Sequence, residues 1–293
     1  AMRGTPGHYP EIPPLAREPA AEEKFDYAAI HLGEKMRLQG DGYLASGATP
    51  EALKAYGEAL KLNPRNVNVW QGIGKCYVRD AERDMAKLAL ETAVQLGSSN
   101  AEVLSLLACL YRQEGRLTEA LGLWHRCRSM ARPDSLAELN EGLALLERGH
   151  WEAAIACLAP YRQASPTDVE AARALAFAQA RAGRWKEARM TLRDILALEP
   201  DSPGLSADAA AVAAHEWLAE EAVGHLETLA DTTSEGVAYY FMLSPAFDGF
   251  RRTEIGRRLE SALMVASMAE TITPDQIKGM LAVDISPRFP LAP

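Results

Sequence analysis

The sequence repeats itself every thirty-four residues, and this period constrains the fold more than any other feature. Windows that begin at residues 33, 67, 101, 135, 169 and 203 run in phase, without an insertion. Their twentieth position reads Ala52, Ala86, Ala120, Ala154, Ala188 and Ala222. Their eighth reads Gly40, Gly74, Ala108, Gly142, Ala176 and Ala210. The fifteenth gives Gly47, Ala81, Gly115, Gly149, Gly183 and Trp217, mostly residues suited to a tight turn. The twenty-fourth is bulky throughout: Tyr56, Leu90, Trp124, Leu158, Leu192 and Leu226. Pro64, Pro166 and Pro200 hold position thirty-two, and Pro133 falls one place later in its window.

Each window predicts two helices of about a dozen residues, separated by a turn near position fifteen. The stretch EALKAYGEALKLNP, residues 51–64, is the second helix of the first window. Ala52 and Ala59 share one face of it, and Pro64 stops it because proline cannot continue the hydrogen-bond ladder. Small residues at positions eight and twenty let two helix backbones approach closely, and the bulky residue at twenty-four fills the remaining space. One such hairpin cannot bury its apolar face alone, so the units must stack. Alanine and leucine dominate the apolar positions while aromatics are only 7%, which favours helix over strand.

These positions resemble the tetratricopeptide repeat (TPR) pattern. The second window carries it most fully, with Trp70, Ile73, Gly74, Tyr77, Ala86, Leu90 and Ala93. The first supplies Gly40, Tyr43, Ala52, Tyr56, Ala59 and Pro64. The resemblance implies an all-α fold, a right-handed α-solenoid of six units over 33–66, 67–100, 101–134, 135–168, 169–202 and 203–236. Residues 1–19 hold Pro6, Pro10, Pro13, Pro14 and Pro19 and read as an extended arm. Residues 20–32 read as a helix leading into the first unit. After 236 the phase breaks at Pro245, and 237–293 are expected to hold capping helices that close the open end of the stack. Within them VAYYFML reads as a short helix, and a longer one is expected near 253–269 with Ile255, Leu259 and Leu263 on one face. Thr273-Pro274-Asp275-Gln276 reads as a further helix start.

In this family the first helices line a concave groove, so the resemblance places positions 2, 5, 9, 12 and 13 on it. The fourth window puts Leu136, Leu139, Leu143 and Leu146 there, and Phe177 of the next window extends the stripe. Its usual core positions carry Glu138 and Glu141 instead. The stripe is either the core of a rotated helix or an apolar docking strip for a partner's helix or extended peptide. The chain's own arm, with Tyr9, Ile12 and Leu15, is a further occupant of the strip. Around it stand Arg37, Lys75, Arg79, Arg112, Arg173 and Arg181, against Asp41 and Glu147. This local cationic excess points to a ligand carrying carboxylates; ordinary solvated surface is the alternative. The clamp by which some TPR proteins grip a chaperone's C-terminal carboxylate is not present: Asp41 stands where an asparagine is required, and so does Gly72.

Composition narrows the function classes. A formal net charge of −9 argues against nucleic acid and against an anionic membrane surface. No run of eighteen apolar residues exists to span a bilayer. The six histidines (His8, His31, His125, His150, His215 and His225) form neither a metalloprotease motif nor a triad, and no phosphate loop follows a strand. Cys76, Cys109, Cys127 and Cys157 are scattered without a C-x-x-C pair, so no metal or cofactor is expected. Unpaired thiols favour a reducing, cytoplasmic compartment. The opening Ala1-Met2 reads as a cloning junction, and a signal or lipid anchor upstream of it would place the protein in the periplasm or at the envelope. The expected function is a non-catalytic scaffold or adaptor for a protein or peptide, in a bacterial secretion, pilus or envelope assembly. The alternative is a soluble chaperone or regulatory adaptor that holds a client segment.

Overall fold

The computed structural model describes residues 27–130 and 135–268. The arm over 1–19, most of the lead-in segment and the helix start at Thr273 lie outside them. The described chain forms two compact units, divided between Ala137 and Glu138. The first holds α1 (Tyr27–Ala45), α2 (Thr49–Leu62), α3 (Val67–Arg79), α4 (Arg83–Gln95), α5 (Ala101–Gln113) and α6 (Leu117–Arg128). The division falls early in α7 (Ser135–Glu147). The second unit continues with α8 (Trp151–Ala164), α9 (Val169–Arg181), α10 (Trp185–Leu196), α11 (Pro203–His215) and α12 (Ala219–Thr232). It ends with α13 (Glu235–Met242), a 3-10 turn (Pro245–Phe247), α14 (Asp248–Arg251) and α15 (Glu254–Ser267). Among the described residues there is no strand.

Every hairpin turns by the same local chemistry. Position fifteen takes a left-handed backbone in all six windows, at φ 81° in Gly47, 59° in Ala81, 77° in Gly115, 74° in Gly149, 79° in Gly183 and 60° in Trp217. The next N–H then reaches back to a carbonyl near the helix end: Ala48 to Tyr43, Glu82 to Tyr77 and His150 to Leu145 at 2.9 Å, Arg116 to Tyr111 at 2.8 Å. Arg184 to Gln179 and Leu218 to Ala213 repeat the bond at 2.8 and 2.9 Å. These bonds satisfy carbonyls that a helix end otherwise leaves open. Three first helices start on a side-chain cap, where Asn66, Asn100 and Asp168 accept from backbone N–H groups one turn in.

The repeat positions are the core. All six alanines at position twenty are 0% exposed, and the six bulky residues at twenty-four are buried beside them. A methyl added at Gly40 would stand 2.5 Å from Tyr56 Cε1, and one at Gly142 2.6 Å from Leu158 Cγ. The eighth position is therefore small because the twenty-fourth side chain of its own hairpin fills that space.

The C-terminal helices do cover the last hairpin. Val237, Phe241, Met242, Phe247, Phe250 and Leu263 share one core with Ala210, Leu226 and Leu229. Along the expected face of α15 burial is graded: Ile255 is exposed, Leu259 half-buried and Leu263 buried. Gly256 sits close to the backbone of Phe250, where an added methyl would clash with the Phe250 carbonyl oxygen.

Candidate functional site

In the first unit, α1, α3 and the start of α5 enclose a concavity of ≈ 390 Å³. Arg37, Asp41, Asn68, Gln71, Lys75, Arg79 and Glu102 line it, with the hydroxyl end of Tyr56 at its floor. The floor follows from packing. The Tyr56 ring lies between Gly40 and Gly72, and a methyl on Gly72 would stand 2.5 Å from its oxygen. Seated there, the phenol donates to Asp41 Oδ1 at 2.7 Å. Burial, and then the Asp41 carboxylate, push its titration well above the ordinary tyrosine range. Gln71 donates to Ser98 Oγ at 3.0 Å and accepts from Asn100 at 3.4 Å, which fixes its amide in the wall.

The predicted cations are largely paired within the chain. Arg37 donates to Glu34 through Nε at 2.9 and 3.0 Å and also pairs with Asp41. Its guanidinium, chiefly by hydrogen bonding, holds the Glu34 carboxyl below the usual range. Lys75 pairs with Glu102. Arg173 is buried and donates to Asp208 at 2.6 Å across to the next hairpin. Arg112 is half-buried. Among the described residues no carboxylate pairs with Arg79, whose Nη1 donates to the Leu44 carbonyl at 2.6 Å, or with Arg181. Half of the expected cations are thus neutralised within the chain. The neutralising carboxylates are Glu34 and Glu102 at position 2, Asp41 at position 9 and Asp208 at position 6 of their windows.

The leucine stripe is corrected by burial. Leu139, Leu143 and Leu146 are 0%, 2% and 4% exposed, and Leu136 is half-buried. They offer no open docking strip. Nor is α7 rotated, because Gly142 still faces Leu158 as position eight requires. Ala137, Asn140 and Ala144 are fully buried as well, so the helix is covered nearly all round.

Phe177, the fifth apolar residue expected in the groove, is 40% exposed. Its ring meets Trp151 edge-on, with centroids 6.0 Å apart and planes at 84°. The Arg181 guanidinium stands 5.1 Å from the centre of the same indole. The second unit therefore carries a small aromatic ledge with a cation at its edge. The residues that sequence reasoning missed are Trp151, the hydroxyl of Tyr56, and the amides of Asn68 and Gln71. Only Trp151 carried a signal, as an aromatic that directly follows a Gly-His turn.

The four cysteines are buried thiols, and burial, helped by Asp80, pushes that of Cys76 up to about 12. Among the described residues no three potential metal ligands gather, and no helix is long and apolar enough to cross a membrane.

Family models described as TPR repeat and tetratricopeptide repeat match residues 40–80 and 145–214. Anaphase-promoting complex subunit 3 of Schizosaccharomyces pombe is 22% identical over 109 residues, covering 37% of this chain and 16% of that subunit. The chain spans only a small part of the length of the curated relatives it matches. Among solved structures, YrrB, described as a TPR protein with an unusual peptide-binding site, has a TM-score of 0.52 at 20% identity. That match covers 57% of this chain and 86% of YrrB. PilW, described as a type IV pilus biogenesis factor, has a TM-score of 0.51 at 17% identity, covering 78% of this chain and 97% of its own. At these identities the structural likenesses bear on the fold alone.

Proposed function

From the premise that this chain belongs to the tetratricopeptide repeat superfamily, we propose that it is a non-catalytic scaffold whose first three hairpins hold an extended segment of a partner protein. Repeats of this kind mediate protein–protein interaction, and one observation carries the reading to a place. The concavity of α1, α3 and α5 presents charges of both signs and amide side chains, with Arg79 holding no carboxylate of its own. Amides suit the alternating donors and acceptors of an extended backbone, and Arg79 suits a carboxylate on it. The paired cations give selectivity more than affinity, since a ligand must displace Glu34, Asp41 or Glu102 to reach them. The setting we favour is the assembly of a larger protein machine, because a curated relative is named as a subunit of a complex.

A photo-crosslinking residue in place of exposed Asn68 tests this, with one at Leu88 on α4 as the control. The expected result is a protein captured from Asn68 and not from Leu88, with capture lost in Arg79→Glu. Equal capture from both positions, or capture that Arg79→Glu leaves unchanged, sinks the proposal.

A further inference from the structure

We infer that Trp151, Phe177 and Arg181 form a second subsite, in the second unit, for a peptide carrying an apolar side chain next to a carboxylate. The inference rests on the reading of the chain as a binder of protein segments, and it adds a place and a chemistry to it.

Three observations converge. Phe177 keeps 40% of its surface in water although it sits on a helix whose residues 171–176 are all buried. Trp151 fixes the ring edge-on, so the exposed face is rigid and costs little ordering on contact. Arg181 lies one helical turn from Phe177 and is exposed, and its guanidinium rests on the same indole.

Charge decides the occupant. Around this ledge three other arginines are satisfied internally. Arg173 holds Asp208, Arg184 holds Glu152 and Glu187, and Arg189 holds Glu216 and Glu221. Among the described residues no carboxylate pairs with Arg181, in a protein whose net charge is −9. A guanidinium stacked on an indole keeps its charge and most of its N–H donors, so it can take a carboxylate without giving up its place. One helical turn separates the two side chains by about 6 Å, and an extended chain rises about 3.3 Å per residue. The apolar side chain and the carboxylate must therefore stand one or two residues apart. Aromatic and arginine side chains of this kind are the common anchors of protein interfaces.

Selection from a displayed library of random twelve-residue peptides tests the subsite. It is run in parallel on the full chain, on Phe177→Ala/Arg181→Glu, on Arg181→Glu alone and on Lys75→Glu/Arg79→Glu, each checked for an unchanged circular-dichroism melt. The expected result is enrichment of peptides with an aromatic or aliphatic residue one or two places from Asp or Glu. Their binding should fall at least about tenfold in both Arg181 variants and persist in Lys75→Glu/Arg79→Glu. Arg181→Glu changes only an exposed side chain, so it decides the matter even where the double variant folds poorly. Peptides that lose binding only in Lys75→Glu/Arg79→Glu overturn the ledge and leave the first concavity standing. Enriched peptides that are basic, or that bind all the variants alike, overturn the ledge, and no enrichment at all overturns both sites.

Discussion

Replacing Gly72 by alanine asks whether the Tyr56 seat is as tight as the structure has it. In an isolated helix the exchange is favourable by about 1 kcal/mol, because glycine loses more backbone entropy on folding. Here the new methyl would stand 2.5 Å from the Tyr56 oxygen, roughly an ångström inside normal contact. The ring cannot retreat freely, since Gly40 closes its other side and the hydroxyl is tied to Asp41 at 2.7 Å. Overpacking of this kind costs about 1–3 kcal/mol, and losing the phenol's hydrogen bond adds about 1 kcal/mol. After the helix gain, the net expectation is a loss of about 1–3 kcal/mol.

Gly57→Ala is the control, because it makes the same exchange inside α2 with nothing within 4 Å of the added methyl. That variant should gain about 0.5–1 kcal/mol. Urea unfolding followed by circular dichroism separates the two by their midpoints at constant m. In a Tyr56→Leu background the cost of Gly72→Ala should shrink by at least about 1 kcal/mol, as the cycle isolates the contact. A Gly72→Ala protein as stable as the Gly57→Ala one refutes the packing argument, and so does a cost that Tyr56→Leu leaves unchanged.

The burial of α7 predicts that Leu143→Glu costs about 3 kcal/mol or more and collapses the melt, because the charge would be buried without a partner; a melting point within a few degrees of wild type restores the docking strip. Gly115 has open space around it but φ 77°, so Gly115→Ala should cost about 1 kcal/mol from backbone strain alone, the opposite sign to Gly57→Ala in the same urea assay. Burial lowers the His225 titration below 6.5, with Glu221 opposing, so the unfolded chain binds the proton first. Stability should then fall as pH drops below about 6.5 and level off below the folded value; His225→Gln should flatten that part of a melting-temperature profile between pH 7.5 and 5.

What the sequence disclosed depended on how often each interaction recurs. The turn at position fifteen, the alanine at twenty and the bulky residue at twenty-four repeat six times, so chance could not supply them, and all six copies occupy the expected places. The turn held even at Ala81 and Trp217, because a chain that must reverse there accepts left-handed strain. The candidate site lacks that redundancy. Arg37 with Glu34 and Lys75 with Glu102 are pairs made once, and Glu102 lies in a different window from the lysine it neutralises. A rule that scores one window at a time registers the cation and overlooks its partner. α7 stayed open for a related reason: its leucines fall on groove positions of the repeat, and periodicity specifies which residues share a face but not whether that face is covered. Recognition surfaces in a repeat protein must differ between copies to bind one partner, so the residues that matter for function are the ones the period does not predict. The departures the structure leaves exposed, Phe177 and Arg181, are for this reason better evidence of binding than any position that obeys the repeat.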